Sequence, residues 1–150
     1  MLIKSFKFNS QYFPVVTFVS DADPDAEKTM KIGRNAAKQI AEKFEEVKEF
    51  VYTLLGFSLM DTMMKNRLMM TGVKFKYDKA GDIESVQFEG LIGVPDRSYR
   101  VKVATDTILL RIEHPTFKDN VYNIHKEIEV WIIAWDKMTQ NPLSLFDEVA

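Results

Sequence analysis

The sequence predicts an α+β domain in which a curved antiparallel sheet, an N-terminal hairpin plus a four-stranded meander, packs on a long helix and a C-terminal helix. Three observations lead there. Apolar residues recur at helical spacing from Ala37 to Leu55, alternate with polar ones at period two from Met69 to Ile112, and return to helical spacing after Pro115. With 46% hydrophobic and 12% aromatic content over 150 residues, the chain can bury one sizeable core. Residues 1–139 are therefore expected as a single domain and 140–150 as a tail.

Leu2–Phe8 and Tyr12–Val19 are rich in β-branched and aromatic residues, and Asn9, Ser10 and Gln11 suit the turn of a hairpin between them. Pro14 cannot donate to a ladder, so the second strand is expected to be an edge there or to carry a bulge. The long helix is expected from Asp23 to Leu55. Asp23 is a natural N-cap, Pro24 suits the first helical position, and Asp25 and Glu27 complement the positive end of the dipole. Its apolar stripe is Ala37, Ile40, Phe44, Val47, Val51 and Leu54, and Gly56 stops it. Gly33 is the residue that argues for a later start or a local irregularity. The charged face, from Lys38 to Glu49, pairs opposite signs at helical spacing and reads as solvated.

Between Phe57 and Met70 lie five of the eight methionines. Met60, Met63, Met64 and Leu68 fit one face of a short helix capped by Ser58, filling the core. The meander follows. Val73, Phe75 and Tyr77 alternate with Lys74 and Lys76, the run Asp78 to Asp82 supplies a hairpin turn, and Val86 and Phe88 face the same way on the next strand. Gly90 to Asp96 reads as a longer loop. Tyr99, Val101 and Val103 then point inward against Arg100 and Lys102, and Ile108–Ile112 forms the fourth strand. After Pro115, residues Val121, Ile124, Ile128, Trp131, Ile132, Trp135 and Met138 fit a helical stripe, with Thr116 and Asp119 as cap candidates. The β-branched run Ile128–Ile133 leaves a buried strand as the alternative.

Composition excludes several function classes. Without cysteine there is no disulfide framework, thiolate metal site or cysteine nucleophile. Met1–Phe8 lacks a secretory h-region, and no apolar run approaches the roughly 20 residues that span a bilayer. A cytoplasmic protein without a membrane partner is expected. Net charge is −2, from 20 basic and 22 acidic side chains, so nucleic-acid binding must come from a local patch. His114 and His125 have Glu113 and Glu129 nearby, but there is no H-E-x-x-H spacing, no G-x-S-x-G elbow, and no Walker or dinucleotide fingerprint. Gly90 to Gly93 spells G-x-x-G, yet in a strand context that lacks the two helices a KH clamp requires. The sequence nominates no catalytic residue, no metal ligand and no cofactor.

The meander offers a surface. If its apolar residues face the helices, Lys74, Lys76, Arg100, Lys102 and Arg111 share the opposite face with Glu89, and cations spaced along adjacent strands can follow a phosphate backbone. Those cations equally serve to solubilise a half-buried sheet. At the tail, Gln140, Leu143, Leu145 and Phe146 form Q-x-x-L-x-L-F, written QNPLSLF. This resembles the peptide with which bacterial polymerases and mismatch-repair proteins dock on the sliding clamp. The resemblance implies a sliding-clamp partner, with the apolar residues in a groove and Gln140 at its rim. The compact motif has glutamine directly before the first leucine, where this chain has Pro142. Together these features suggest a non-enzymatic accessory protein of DNA replication, recombination or repair, from a bacterium or its phage. The alternative is an apolar-ligand domain with a pocket lined by Phe44, Met60, Met63, Met64 and Trp131.

Overall fold

The computed structural model describes residues 1–8, 14–56, 68–93, 98–111 and 114–140. Strand β1 (Leu2–Phe8) sends Ile3 and Phe6 into the core, although their spacing is odd. A register shift between Ile3 and Ser5 makes this possible, since an extra residue at Lys4 restores the alternation. On β2 (Pro14–Ser20), Val16 lies opposite Phe6 and Phe18 opposite Ile3, all four buried. The predicted turn at 9–11 lies outside the described residues.

The segment expected to open the long helix is instead strand β3 (Asp23–Lys31), antiparallel to β2. Its side chains are nearly all exposed, and Asp23, Asp25, Glu27, Lys28 and Lys31 place charge along the sheet edge, which blocks edge-to-edge pairing. The apparent helix start was a turn and a charged edge. Because β3 covers it, β2 is an interior strand. Pro14 is tolerated as its first residue, and its carbonyl accepts from Ile32 N–H at 3.0 Å.

Helix α1 (Arg34–Glu45) begins after Gly33, where the apolar stripe begins, and buries Ala36, Ala37, Ile40 and Phe44. The stripe continues into α2 (Lys48–Leu54) through a tightened turn. Glu46 and Val47 donate to the carbonyls of Lys43 and Phe44, three residues back, so one predicted helix is two. Gly56 ends α2 as expected, with φ +89° and its N–H on Thr53 O. The predicted helix capped by Ser58 lies outside the described residues, with Met60, Met63 and Met64.

Strands β4 (Leu68–Tyr77) and β5 (Ile83–Gly93) form the predicted hairpin. In its turn, Asp78 Oδ1 accepts from the N–H groups of Ala80 and Asp82, and Gly81 takes φ +88°. Gly90–Gly93, expected in a loop, continues β5. Gly90 sits where an added Cβ would meet Met69 O at 2.9 Å, so close strand approach explains the glycine there. Strand β6 (Arg100–Ala104) pairs with the second half of β5. The fourth strand, β7 (Ile108–Leu109), pairs with the first half of β5 rather than with β6. Thr105 bridges the bend: its hydroxyl accepts from Phe88 N–H at 3.0 Å and its N–H donates to Phe88 O at 2.9 Å.

The sheet is antiparallel throughout, in the order β3-β2-β1-β4-β5-β6 with β7 beside β5. Helix α3 (Phe117–Gln140) resolves the helix-or-strand alternative in favour of helix. Its residues Phe117, Val121, Ile124, Ile128 and Ile132 are buried against the same face as α1. Its first N–H groups, on Thr116 and Phe117, are taken by His114 Nδ1 rather than by Thr116 or Asp119 side chains. Phe6, Phe44, Phe88 and Phe117 stack in tilted and edge-on pairs through the centre of the core.

Candidate nucleic-acid interface

Strand alternation fixes which cations share the outer face, away from the helices. Register places Ser5, Lys74 and Gln87 in one row across β1, β4 and β5. The next row is Lys7, Gly72, Glu89 and Ala104, and the third is Met69, Leu91 and Lys102. Arg100 follows, opposite Gly93. Lys74, Lys76, Arg100 and Lys102 are all exposed. Glu89 sits among them, 3.3 Å from Lys74 Nζ and 4.0 Å from Lys7 Nζ. Lys7 is thus a cation of this face that period-two reading of the meander alone missed, because it comes from the N-terminal hairpin.

The middle row has small residues at Gly72 and Ala104, which leaves a trough between larger side chains. Gly72 is set by packing: a Cβ would lie 2.8 Å from Phe6 O. A concavity of about 820 Å³ runs here, with Met69 and Leu91 as apolar lining and Lys7, Arg100, Lys102 and Glu89 around it. Paired β1 and β4 positions end at Lys7 and Gly72, so Leu68–Thr71 has no β1 partner. At that point the concavity reaches the helix side, where Phe8, Ala41 and Met70 line it.

The predicted cations do not form one cluster. Lys76 pairs with Ser85 and Lys102 with Leu91, so about 20 Å of β5 separates the ends of the set. Arg111 follows β7 at the Lys76 end and lines a separate depression with Asp78, Asp82, Glu84 and Lys118. Its surroundings are acidic, and it stands apart from Arg100 and Lys102. Tyr99 and Val101, expected under the helices, are 57% and 45% exposed, since β6 is the edge strand. Tyr99 is therefore accessible beside Arg100.

The two histidines have different settings, His114 just before α3 and His125 within it. His114 stacks on Phe50 at 4.4 Å while capping the helix. His125 Nε2 lies 2.7 Å from the Tyr77 hydroxyl, which is also 2.7 Å from Ile3 N and 3.0 Å from Ile3 O. One hydroxyl proton satisfies all three contacts only if His125 donates from Nε2, Ile3 N–H donates, and the hydroxyl donates to Ile3 O. Burial lowers the His125 pKa; Glu129, 3.6 Å from Nδ1, opposes that, and the N-terminal ammonium adds to it. Burial likewise raises the Tyr77 phenol. Among the described residues no group of three or more His, Asp or Glu converges as a metal site.

Compared with known proteins, the chain matches no family model, no curated sequence and no solved structure. No helix among the described residues is long and apolar enough to cross a membrane. Of the alternative pocket, Phe44 is fully enclosed by Phe6, Phe8 and Phe88, and Trp131 donates its indole N–H to Glu127 at 3.1 Å. Leu143, Leu145 and Phe146 of the tail lie outside the described residues, and Gln140 is the last residue of α3.

Proposed function

We propose that the protein is a non-enzymatic accessory factor of DNA replication, recombination or repair that binds nucleic acid on the outer face of β4–β6 and a protein partner through Gln140 to Phe146. The observation that carries this reading is charge segregation. In a chain of net charge −2, Lys7, Lys74, Lys76, Arg100 and Lys102 share a face with Glu89, while α1, α2 and β3 mix both signs and the 78–84 turn carries three carboxylates to one lysine. Cations that outnumber the carboxylate among them on an exposed sheet attract phosphates and release counterions on binding. The trough is apolar along Met69 and Leu91, which suits the exposed faces of unpaired bases better than the phosphate-lined surface of a duplex. The clamp-like peptide supports the protein-partner half of the proposal.

The test is fluorescence anisotropy of labelled single- and double-stranded DNA at low and moderate salt, with a Lys74, Lys76, Arg100, Lys102 to alanine variant beside the intact protein. Binding is expected to favour the single strand, weaken with salt, and drop in a variant whose far-UV spectrum is unchanged. Each lost phosphate contact should flatten the plot of log affinity against log salt by about 1 unit or slightly less. Equal binding by variant and intact protein would remove the assignment.

A further inference from the structure

We propose that the free edge of β6 docks an extended acidic segment of a partner protein, which adds a strand to the sheet. Three observations carry this. The first is the direction of the backbone. Among the described residues β6 pairs with β5 alone, Val101 opposite Ile92 and Val103 opposite Gly90. In the same register Thr105 N–H donates to Phe88 O, and bonded pairs alternate along an antiparallel ladder. Val103 and Val101 therefore bond to β5, while the N–H and carbonyl groups of Arg100, Lys102 and Ala104 point off the sheet. All three residues are exposed, so those groups are open to a new strand.

The second is the contrast with the opposite edge. On β3, Lys28 lies opposite the buried Phe18 and so has core-side parity, and Pro24 lacks a donor. An inward charge and a proline both block an added strand. Strand β6 has neither: its core-side positions are Val101, which is exposed, and Val103, which is half-buried. An added strand would cover both valines. The third is charge. The outer-side positions of β6 carry Arg100 and Lys102, and no carboxylate lies on the strand. Antiparallel pairing with a second copy about Lys102 or Val101 would set Lys102 against Lys102 or against Arg100, which is unfavourable. A segment alternating apolar residues with Asp or Glu suits both sides, with apolar side chains beside the valines and carboxylates beside the two cations. This docking goes beyond the nucleic-acid reading and stands without it; the two share only the side chains of Arg100 and Lys102.

The test uses the full-length nitrogen-15 protein and a capped peptide of alternating glutamate and valine, long enough to span the strand, read by amide hydrogen exchange. With the peptide at about ten times its Kd, exchange at Lys102 and Ala104 should slow about tenfold, while the amides of β3 keep their rates. A peptide with lysine in place of glutamate should change neither. Arg100→Glu combined with Lys102→Glu alters only exposed side chains and should reverse the preference, so that the lysine peptide slows exchange at positions 102 and 104. Val101→Lys, an inward charge like that of β3, should abolish the slowing in a protein whose far-UV spectrum is unchanged. No slowing up to about 1 mM glutamate peptide would overturn the proposal. So would equal slowing by both peptides in the intact protein, or slowing that survives Val101→Lys. Exchange at Lys102 and Ala104 that slows with protein concentration alone would also overturn it, by marking a second copy as the occupant.

Discussion

The outer face of the sheet has two halves that differ in how they treat charge. On β2 and β3 it carries Val15, Thr17, Val19 and Thr29, and the edge mixes Glu27 and Lys31; Glu27 also takes Lys4. On β4, β5 and β6 it carries Lys74, Lys76, Arg100 and Lys102 around Glu89, and the edge strand has cations only. Both edges meet water and both need charge to prevent aggregation. The mixed edge meets that need without creating a field, whereas the one-sign edge also adds a local positive potential. The halves meet along β1 and β4, where Ser5, Phe6 and Lys7 pair with Lys74, Val73 and Gly72, and Tyr77 staples Ile3 across the seam.

Breaking the core beneath the basic half should have the largest effect. Phe88 packs on Phe44 and Phe117, and its backbone holds the Thr105 bend. Phe88→Ala should cost about 3–5 kcal/mol in urea denaturation. Cutting the staple comes next. Tyr77→Phe leaves the Ile3 N–H and carbonyl without their side-chain partner, and a loss of about 1–3 kcal/mol is expected from the same measurement. A smaller change sharpens the contrast between the halves. Glu89→Gln removes the one carboxylate between Lys7 and Lys74; stability should move by less than about 1 kcal/mol, and affinity for single-stranded DNA should rise by up to about fivefold.

The smallest effect is pH dependence at the seam. The folded state holds the His125 pKa below 6.5, so the unfolded chain binds the proton more readily. Its contribution to stability is present above pH 6.5 and is lost as pH falls through the folded value. The urea midpoint should therefore decline below pH 6.5, and His125→Gln should flatten that part of the curve.

Much of the fold was legible because periodicity reports burial. The β4–β5 hairpin, its Asp78–Asp82 turn, the stop at Gly56 and the apolar stripe of α3 all followed from spacing and turn chemistry. Asp23–Lys31 misled because an edge strand with both faces wet has no alternation to read, while Asp23, Pro24 and the following acids imitate a helix start. Val101 and Tyr99 have the inward parity expected of them, but parity does not say how far the helices extend over an edge strand. The basic face was readable in β4 and β6. Lys7 and the separation of Arg111 were not, since both depend on strand order and on β7 pairing with β5 instead of β6.

The central claim is that the cationic half, and not the neutral half, receives nucleic acid. Titrating the nitrogen-15 protein with oligothymidine at low salt tests it directly. Shifts confined to the amides of Lys74, Glu89, Leu91 and Lys102, reversed by added salt, are the predicted result. Shifts centred on Thr17, Val19 and Thr29, or none at all, would contradict it.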